Sequence, residues 1–329
     1  MAGSATIGRR ATKFCVRLLR LEPMPHRRDT APETSSAAPR LSWPIALLYG
    51  SLRVVGILPL PVVHGIGVAV GYVLWLLNGR ARRVTERNLS LVITQKGAQK
   101  RQALARASLL ETGKAVAETA IIWGRSPERV LKLVREVRGE ELFESARASG
   151  KGLIIGGPHL GCWEIFNYWV AARAPMSIVY RPPRQSAIEP LLIKVRGNLP
   201  VEQVRASGAG VRALYRRLAA GGVVGILPDQ RPKQGEGVMA PFFGVPALTM
   251  VLLSRLARST GANVLVGFVE RLPRGRGFRV HFIEAPDAIA DEDLTVACTA
   301  LNRGVELCVE RAFAQYQWTY KRFPDDAQR

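Results

Sequence analysis

Residues 153–164 read LIIGGPHLGCWE and carry the clearest structural signal in the chain. The apolar run 153–155 is typical of a buried strand, and the glycines and proline that follow favour a tight turn. Residues five apart in a helix are rotated by about 140°, so His159 and Glu164 can meet only if the histidine precedes the helix. The segment therefore predicts a strand, a turn that carries a histidine, and a helix that carries a carboxylate.

The spacing of His159 and Glu164 points to acid–base chemistry. A histidine oriented by a carboxylate is a general base that can take a proton from a hydroxyl, as acyl transfer requires. The alternative is a satisfied surface histidine beside an unrelated glutamate. Cys162 lies in the same turn, but small buried thiols are commoner than reactive ones, so we do not expect it to be a nucleophile.

Short apolar runs alternate with helical stretches along most of the chain. The predicted strands cover residues 153–155, 177–180, 223–227, 263–269 and 278–283. The predicted helices cover residues 99–123, 163–172, 188–196, 211–219, 247–258 and 293–314. Such alternation predicts an α/β fold, with a mixed central sheet covered by helices and catalytic residues at strand ends.

The composition divides the chain into three predicted regions. Residues 1–42 are basic and show no sustained apolar period, so we expect a flexible tail; a helix lying on a lipid surface is the alternative. Residues 43–79 are strongly apolar and form a predicted membrane anchor. Residues 80–329 form the predicted catalytic domain.

The predicted anchor contains residues 54–77, which are numerous enough to cross a bilayer of about 30 Å. Pro59 and Pro61 interrupt it early, which leaves one bent span or two shorter helices in one leaflet. We favour the single span, and a buried hairpin of core helices is the alternative in a soluble protein. The stretch begins late and lacks a small-residue cleavage site, so it is not typical of a removed signal peptide.

The formal net charge of +21 narrows the class of partner without naming it. A basic surface attracts nucleic acid, anionic phospholipid or an acidic protein through the same long-range field. No aromatic RNA platform or zinc-finger spacing accompanies this charge, so we expect no nucleic-acid partner. The four cysteines match neither a disulfide framework nor a zinc site, which favours a reducing compartment.

Three charged segments follow predicted strands or end a predicted helix, where loops usually build the site of an α/β protein. They are residues 180–183 with Arg181, residues 194–198 with Arg196, and residues 227–233 with Asp229. The chain has no nucleophile elbow, Walker loop or dinucleotide fingerprint, which argues against serine hydrolases, nucleotide hydrolases and dinucleotide enzymes.

These residues, taken in order, resemble the late lipid A acyltransferases, the lauroyl/myristoyl branch of the lysophospholipid acyltransferase superfamily. The resemblance rests on seven motifs from the end of the apolar region to about residue 323. They are residues 83–89 (RVTERNL), His159-x4-Glu164, residues 180–182 (YRP), Arg196 before Gly197-Asn198, residues 228–230 (PDQ), residues 241–249 (PFFGVPALT) and residues 317–323 (QWTYKRF). Glu164 favours this branch, since related glycerol-phosphate acyltransferases typically carry aspartate there.

The resemblance implies transfer of a fatty acyl group from an acyl carrier protein thioester to a hydroxyl of a lipid A precursor, without a metal or cofactor. His159 would be the general base and Glu164 would orient it. Arg181 and Arg196 would bind substrate, with Arg196 on a phosphate or the developing oxyanion, and Asp229 would fix Arg196 or another basic side chain.

The same resemblance implies a place in the inner membrane. The arginine cluster after the anchor lies beside the catalytic part, so the positive-inside rule places that part on the cytoplasmic side. Two alternatives stay open: an acyltransferase for phosphatidylinositol mannoside or another phospholipid, and a non-catalytic membrane-tethered protein that binds anionic lipids.

Overall fold

A seven-stranded sheet in the order β1-β9-β8-β2-β5-β3-β4 forms the centre of the protein. The computed structural model describes residues 42–95, 97–180, 189–196, 201–205, 207–233 and 235–327, except the side chain of Arg196. The predicted tail, apart from residue 42, therefore lies outside the described residues. Every pairing in the sheet is parallel except the antiparallel pair β8–β9, so the predicted mixed sheet is confirmed.

All five predicted strands are present, and the described residues contain four further strands that were not predicted. The strands are β1 (Val134–Arg138), β2 (Leu153–Gly156), β3 (Met176–Tyr180), β4 (Val201–Arg205), β5 (Val223–Ile226), β6 (Gly237–Phe242), β7 (Val245–Met250), β8 (Asn263–Arg271) and β9 (Phe278–Glu284). The helices are α1 (Trp43–Ile57), α2 (Leu60–Leu76), α3 (Arg80–Val92), α4 (Ala98–Gly124), α5 (Pro127–Leu131), α6 (Glu140–Ala148), α7 (Trp163–Ala171), α8 (Glu189–Arg196), α9 (Gly208–Ala219), α10 (Leu252–Thr260) and α11 (Leu294–Arg311).

Strand β2 lies at the centre, between β5 and β8, and both of its faces are covered. Ile155 points into the cluster that contains α7, whereas Ile154 points into the cluster that contains α9 and α10. Because successive side chains of a strand point to opposite faces, a continuous apolar run suits a strand buried on both sides. All four residues of β2 are buried.

One predicted helix is wrong in its first half. Residues 247–250 belong to β7, which pairs with β6 in an antiparallel hairpin, and the helix begins only at Leu252. The turn residues Phe243 and Gly244 have φ values of 50° and 75°. Positive φ at both central residues is typical of the two-residue turns that suit a twisted hairpin.

The predicted anchor is interrupted at its prolines, as expected, and whether it forms one span stays a prediction. The apolar region folds into two helices, α1 and α2, that meet at Pro59, because proline has no N–H to continue the first helix. No helix among the described residues is both long and apolar enough to cross a membrane by itself. One bent pair, α2 with α3, passes on length and composition together, with 82° between its halves.

Helices α1 and α2 pack against α4 through small residues. A Cβ added to Gly67 would lie 2.5 Å from Cα of Lys114, and one added to Gly71 would lie 2.4 Å from the Leu109 carbonyl oxygen. Such glycines let backbones approach closely. The opposite face of the pair is apolar and exposed, with Trp43 at 79% and Ile57 at 80% exposure. The boundary predicted at residue 79 stays a prediction.

Candidate active site

The sequence 153–164 folds as predicted: β2, a turn over residues 157–162, and α7 from Trp163. Gly161 has a φ of 62°, and an added Cβ would lie 1.8 Å from the Val269 carbonyl oxygen, so this position requires glycine. The Cys162 N–H donates to the same carbonyl at 2.9 Å. The turn is therefore held tightly against β8, with His159 projecting from its middle.

His159 is paired with Asp229, which follows the neighbouring strand β5. His159 Nδ1 lies 2.8 Å from Asp229 Oδ1, and the His159 backbone N–H donates to Asp229 Oδ2 at 2.9 Å. Strands β2 and β5 are parallel neighbours, so the segments after their carboxyl ends meet at one edge of the sheet. The two bonds fix both the backbone and the ring of the histidine.

The charge of Asp229 sets the tautomer of the imidazole. Burial by itself raises the pKa of this carboxyl, but the neighbouring His159, its ring and backbone hydrogen bonds, and the charge of Arg322 outweigh burial and lower it. An ionised carboxylate only accepts hydrogen bonds, so Nδ1 carries the proton and Nε2 keeps its lone pair. The Gln230 side-chain amide nitrogen lies 3.3 Å from Nε2, which is consistent with that assignment.

Asp229 is thus the carboxylate at Nδ1, and the orienting role of Glu164 stays a prediction. Glu164 lies in the first turn of α7 and is half-buried. An acidic side chain there is favoured by the helix dipole. Asp229 was predicted to fix Arg196 or another basic side chain, and the basic side chain that it contacts here is that of His159.

The two predicted substrate arginines are not placed by the structure. Arg181 lies outside the described residues, and Arg196 is the last residue of α8 with a side chain that is not described. Two other arginines, Arg231 and Arg255, line the cavity beside His159. Arg231 follows the Asp229-Gln230 pair, and Arg255 lies in the first turn of α10.

A cavity of about 600 Å³ opens next to His159. Its inner part lies between α7 and the sheet, and apolar side chains line it: Ile155, Phe166, Met176 and Ile178. Gly225 faces the same space, where an added Cβ would lie 2.5 Å from Met176 Cε. The side chain of Trp163, whose ring centroid is 5.3 Å from that of His159, also lines the cavity. An apolar chain held there would end beside the imidazole.

Cys162 has the wrong environment for a nucleophile. Burial raises the pKa of its thiol well above the usual value, the negative charge of Glu118 adds to this, and Arg271 opposes it. The reactive form of a cysteine is the thiolate, which such a site disfavours. His159 lines the cavity, and its Nε2 is the ring nitrogen that does not contact Asp229.

Asp229 and Gln230 were predicted as part of a site loop, but neither was predicted to contact the histidine. Both follow a strand directly, and that position was the available signal. Their distance from His159 along the chain, about 70 residues, hid the contact, because it depends on which strands are neighbours.

Comparisons with known proteins show the family of the chain. The sequence profile of a family described as bacterial lipid A biosynthesis acyltransferase matches residues 33–324. The lipid A biosynthesis lauroyltransferase of Escherichia coli (strain K12) is 28% identical over 282 residues, which cover 85% of this chain and 91% of that protein. The lipid A biosynthesis palmitoleoyltransferase of the same strain is 26% identical over 270 residues, which cover 81% of this chain and 86% of that protein.

Another relative matches a shorter part of the chain and is named for a different lipid. The phosphatidylinositol mannoside acyltransferase of Mycobacterium tuberculosis (strain CDC 1551 / Oshkosh) is 29% identical over 154 residues, which cover 46% of this chain and 48% of that protein. The family profile, by contrast, spans most of the chain, and the relatives named here are all acyltransferases. The chain is therefore an acyltransferase and belongs to the bacterial lipid A biosynthesis acyltransferase family.

Proposed function

We propose that the protein transfers a fatty acyl group from an acyl carrier protein thioester to a hydroxyl of a lipid A precursor. The observation that carries this proposal is the His159–Asp229 pair at the edge of an apolar cavity, in a chain of this family. The pair supplies a base for a hydroxyl, and the cavity supplies room for an alkyl chain.

In the proposed reaction, His159 Nε2 takes the hydroxyl proton as the oxygen attacks the thioester carbonyl. The C–S bond then breaks, and the departing thiolate receives a proton from the imidazolium. Asp229 keeps Nδ1–H pointing at itself and stabilises the positive ring in between. A thioester is already activated, so this route needs no covalent enzyme intermediate and no metal.

Glu164 and the two sequence-predicted arginines keep roles in this proposal. Glu164, five residues from His159, adds negative charge near the ring when it becomes positive. Arg181 and Arg196 bind the acceptor, with Arg196 on a phosphate or on the developing oxyanion. Arg231 and Arg255, which line the cavity, support an anionic substrate independently.

The apolar outer face of α1 and α2 supports a place at a membrane. The basic helix α3 follows directly, and its exposed residues Arg80 and Arg83 suit an anionic lipid surface. We propose that the protein lies on the inner membrane with the active site on the cytoplasmic side. Flotation with anionic vesicles, weakened by salt, would support this placement, whereas recovery in the unbound fraction at low salt would contradict it.

The decisive experiment incubates purified protein with radiolabelled lauroyl–acyl carrier protein and a lipid A precursor, followed by mass spectrometry. We expect a product with one added acyl chain, and none with His159→Gln. Parallel reactions with acyl–coenzyme A and with phosphatidylinositol mannoside test the donor and the acceptor. Product only with the mannoside would favour the alternative substrate; binding without any product would favour a non-catalytic lipid-binding protein.

A further inference from the structure

Arg271, the last residue of β8, is a buried cation whose side chain bonds to three residues, one in the catalytic turn and two on α4. Its Nη2 donates to the Gly161 carbonyl at 2.8 Å, its Nε to Glu118 Oε1 at 2.6 Å, and its Nη1 to Glu111 Oε2 at 3.3 Å. The planar guanidinium presents donors in several fixed directions, which lysine does not. Gly161 belongs to the catalytic turn, only two residues from His159.

The carboxylate of Glu118 connects this cation to the apolar helix pair. Glu118 Oε1 also lies 2.7 Å from Nε2 of His64, which is on α2. His64, Glu118 and Arg271 are each less than a tenth exposed. The side chain of a buried cation stays in one orientation best when the carboxylate that pairs with it is also fixed in place. Glu118 projects from α4 and contacts both α2 and β8.

Gln315 binds the same place from the other side. Its side-chain amide accepts from the Arg271 backbone N–H at 2.8 Å and donates to the Arg271 carbonyl at 3.1 Å. Its own carbonyl accepts the Gly161 N–H at 3.2 Å. The Gly161 carbonyl is therefore bonded to Arg271, and the Gly161 N–H is bonded to Gln315, whose side chain in turn bonds to the Arg271 backbone. Through these bonds the end of β8 controls where the catalytic turn lies.

We infer that Arg271 is a positioning residue for acyl transfer: it holds the Gly161 carbonyl, and thereby the turn that carries His159, while Glu118 and His64 hold Arg271. The identity of the reaction rests on the proposed function, but the restraint on the turn does not. A displacement of about 1 Å at a catalytic group can lower a rate by about 10²-fold, so loosening this turn should reduce turnover more than binding.

The test compares Arg271→Lys with a matched control, Arg125→Lys. Arg125 is partly buried and, like Arg271, donates to backbone carbonyls: Gly56 at 2.6 Å and Leu58 at 2.7 Å. These carbonyls lie where α1 meets α2 and not in the catalytic turn. For each protein we would measure kcat and KM and follow amide hydrogen exchange of peptides covering residues 157–165 by mass spectrometry.

We expect Arg271→Lys to lower kcat by about 10- to 10²-fold, to change KM by less than about threefold, and to accelerate exchange in the turn. Arg125→Lys should accelerate exchange around residues 56–58 and leave kcat within about twofold. A folded Arg271→Lys protein with wild-type exchange in the turn and wild-type kcat would overturn the inference.

A second variant keeps the test decisive if Arg271→Lys does not fold. Glu118→Asp keeps the negative charge but shortens the reach to Arg271 Nε, so it should produce the same changes to a smaller extent. Wild-type exchange and kcat in that variant would also overturn the inference. If wild-type protein makes no acylated product, the proposed function fails, while the exchange measurement still decides whether Arg271 restrains the turn.

Discussion

Two histidine–carboxylate pairs in this protein have nearly the same contact distance but lie in different surroundings. His159 and Asp229 lie 2.8 Å apart beside a cavity, whereas His64 and Glu118 lie 2.7 Å apart inside the helical packing. Glu118 also shares its charge with Arg271, and His159 lines the cavity, whereas His64 is not among its lining residues. The comparison teaches that the hydrogen-bonded pair alone does not make a histidine a catalytic base. The surroundings of the second ring nitrogen decide whether the histidine can act as a base or only stabilises the fold.

The largest expected effect is on the rate of the cavity pair. His159→Gln should lower kcat by about 10⁴-fold because the reaction loses its base, with a change in unfolding free energy below about 1 kcal/mol. His64→Gln is the matched control and should keep kcat within about tenfold. Steady-state acyl transfer and urea unfolding of the two proteins would measure this, and similar losses of activity in both would remove the distinction.

The partner carboxylate comes next. Asp229→Asn should lower kcat by about 10³-fold. The asparagine amide can donate to Nδ1, which favours the tautomer with its proton on Nε2, so Nε2 no longer offers a lone pair to the hydroxyl. Glu164→Gln, which removes a charge from the first turn of α7, should cost about 10²-fold or less. Single-turnover rates for both variants give the order directly, and a larger loss for Glu164→Gln would return the orienting role to Glu164.

The internal pair should affect stability most strongly, in addition to the loss of kcat expected through Arg271. Glu118→Gln removes the nearer of the two carboxylates that pair with buried Arg271 and leaves only Glu111, which should cost about 3 kcal/mol of unfolding free energy. Urea unfolding in detergent at neutral pH would measure it. A loss below about 1 kcal/mol would show that the buried pair contributes little.

The same variant predicts a pH dependence with a definite sign. Burial by itself raises the pKa of Glu118, but Arg271 and His64 outweigh burial and lower it. A lowered carboxyl pKa contributes stability that is complete above the ordinary pKa of 4.5 and is lost as the pH falls through the folded-state value. The difference between wild type and Glu118→Gln should therefore shrink on acidification below about pH 4.5, and a constant difference would contradict this.

The smallest expected effect is on the choice of acyl chain. Gly225→Ala would push Met176 Cε into the cavity, since the new Cβ would lie 2.5 Å from it, and should favour shorter donors. Met176→Ala enlarges the same space and should favour longer ones. Mass spectrometry of products from mixed donors measures both shifts, and an unchanged product distribution would place the chain elsewhere.

The sequence predicted the local unit around His159 well, because strand, turn and helix signals lie within twelve residues. It predicted Asp229 and Gln230 as part of a site loop but not as partners of His159, since that contact depends on the parallel register of β2 and β5. Periodicity also failed at residues 247–250, where a short hairpin with a Phe243-Gly244 turn replaces a helical pattern.

The resemblance motifs show the same dependence on tertiary contacts. Asn88, from the motif after the apolar region, donates to the carbonyls of Trp318 at 2.8 Å and Tyr320 at 2.7 Å, in the last motif. Buried Arg322 from that motif donates to the Leu248 carbonyl in β7. Motifs that are far apart in sequence therefore belong to one packed unit, which spacing alone does not reveal.

The most direct test of the central claim is the tautomer of His159, measured by ¹⁵N NMR on histidine-labelled protein. The chain has only four histidines, so a spectrum of His159→Gln identifies the signals. We predict a proton on Nδ1 and a lone pair on Nε2 in the wild type, and loss of that state in Asp229→Asn. A wild-type His159 with its proton on Nε2 would contradict the proposed base.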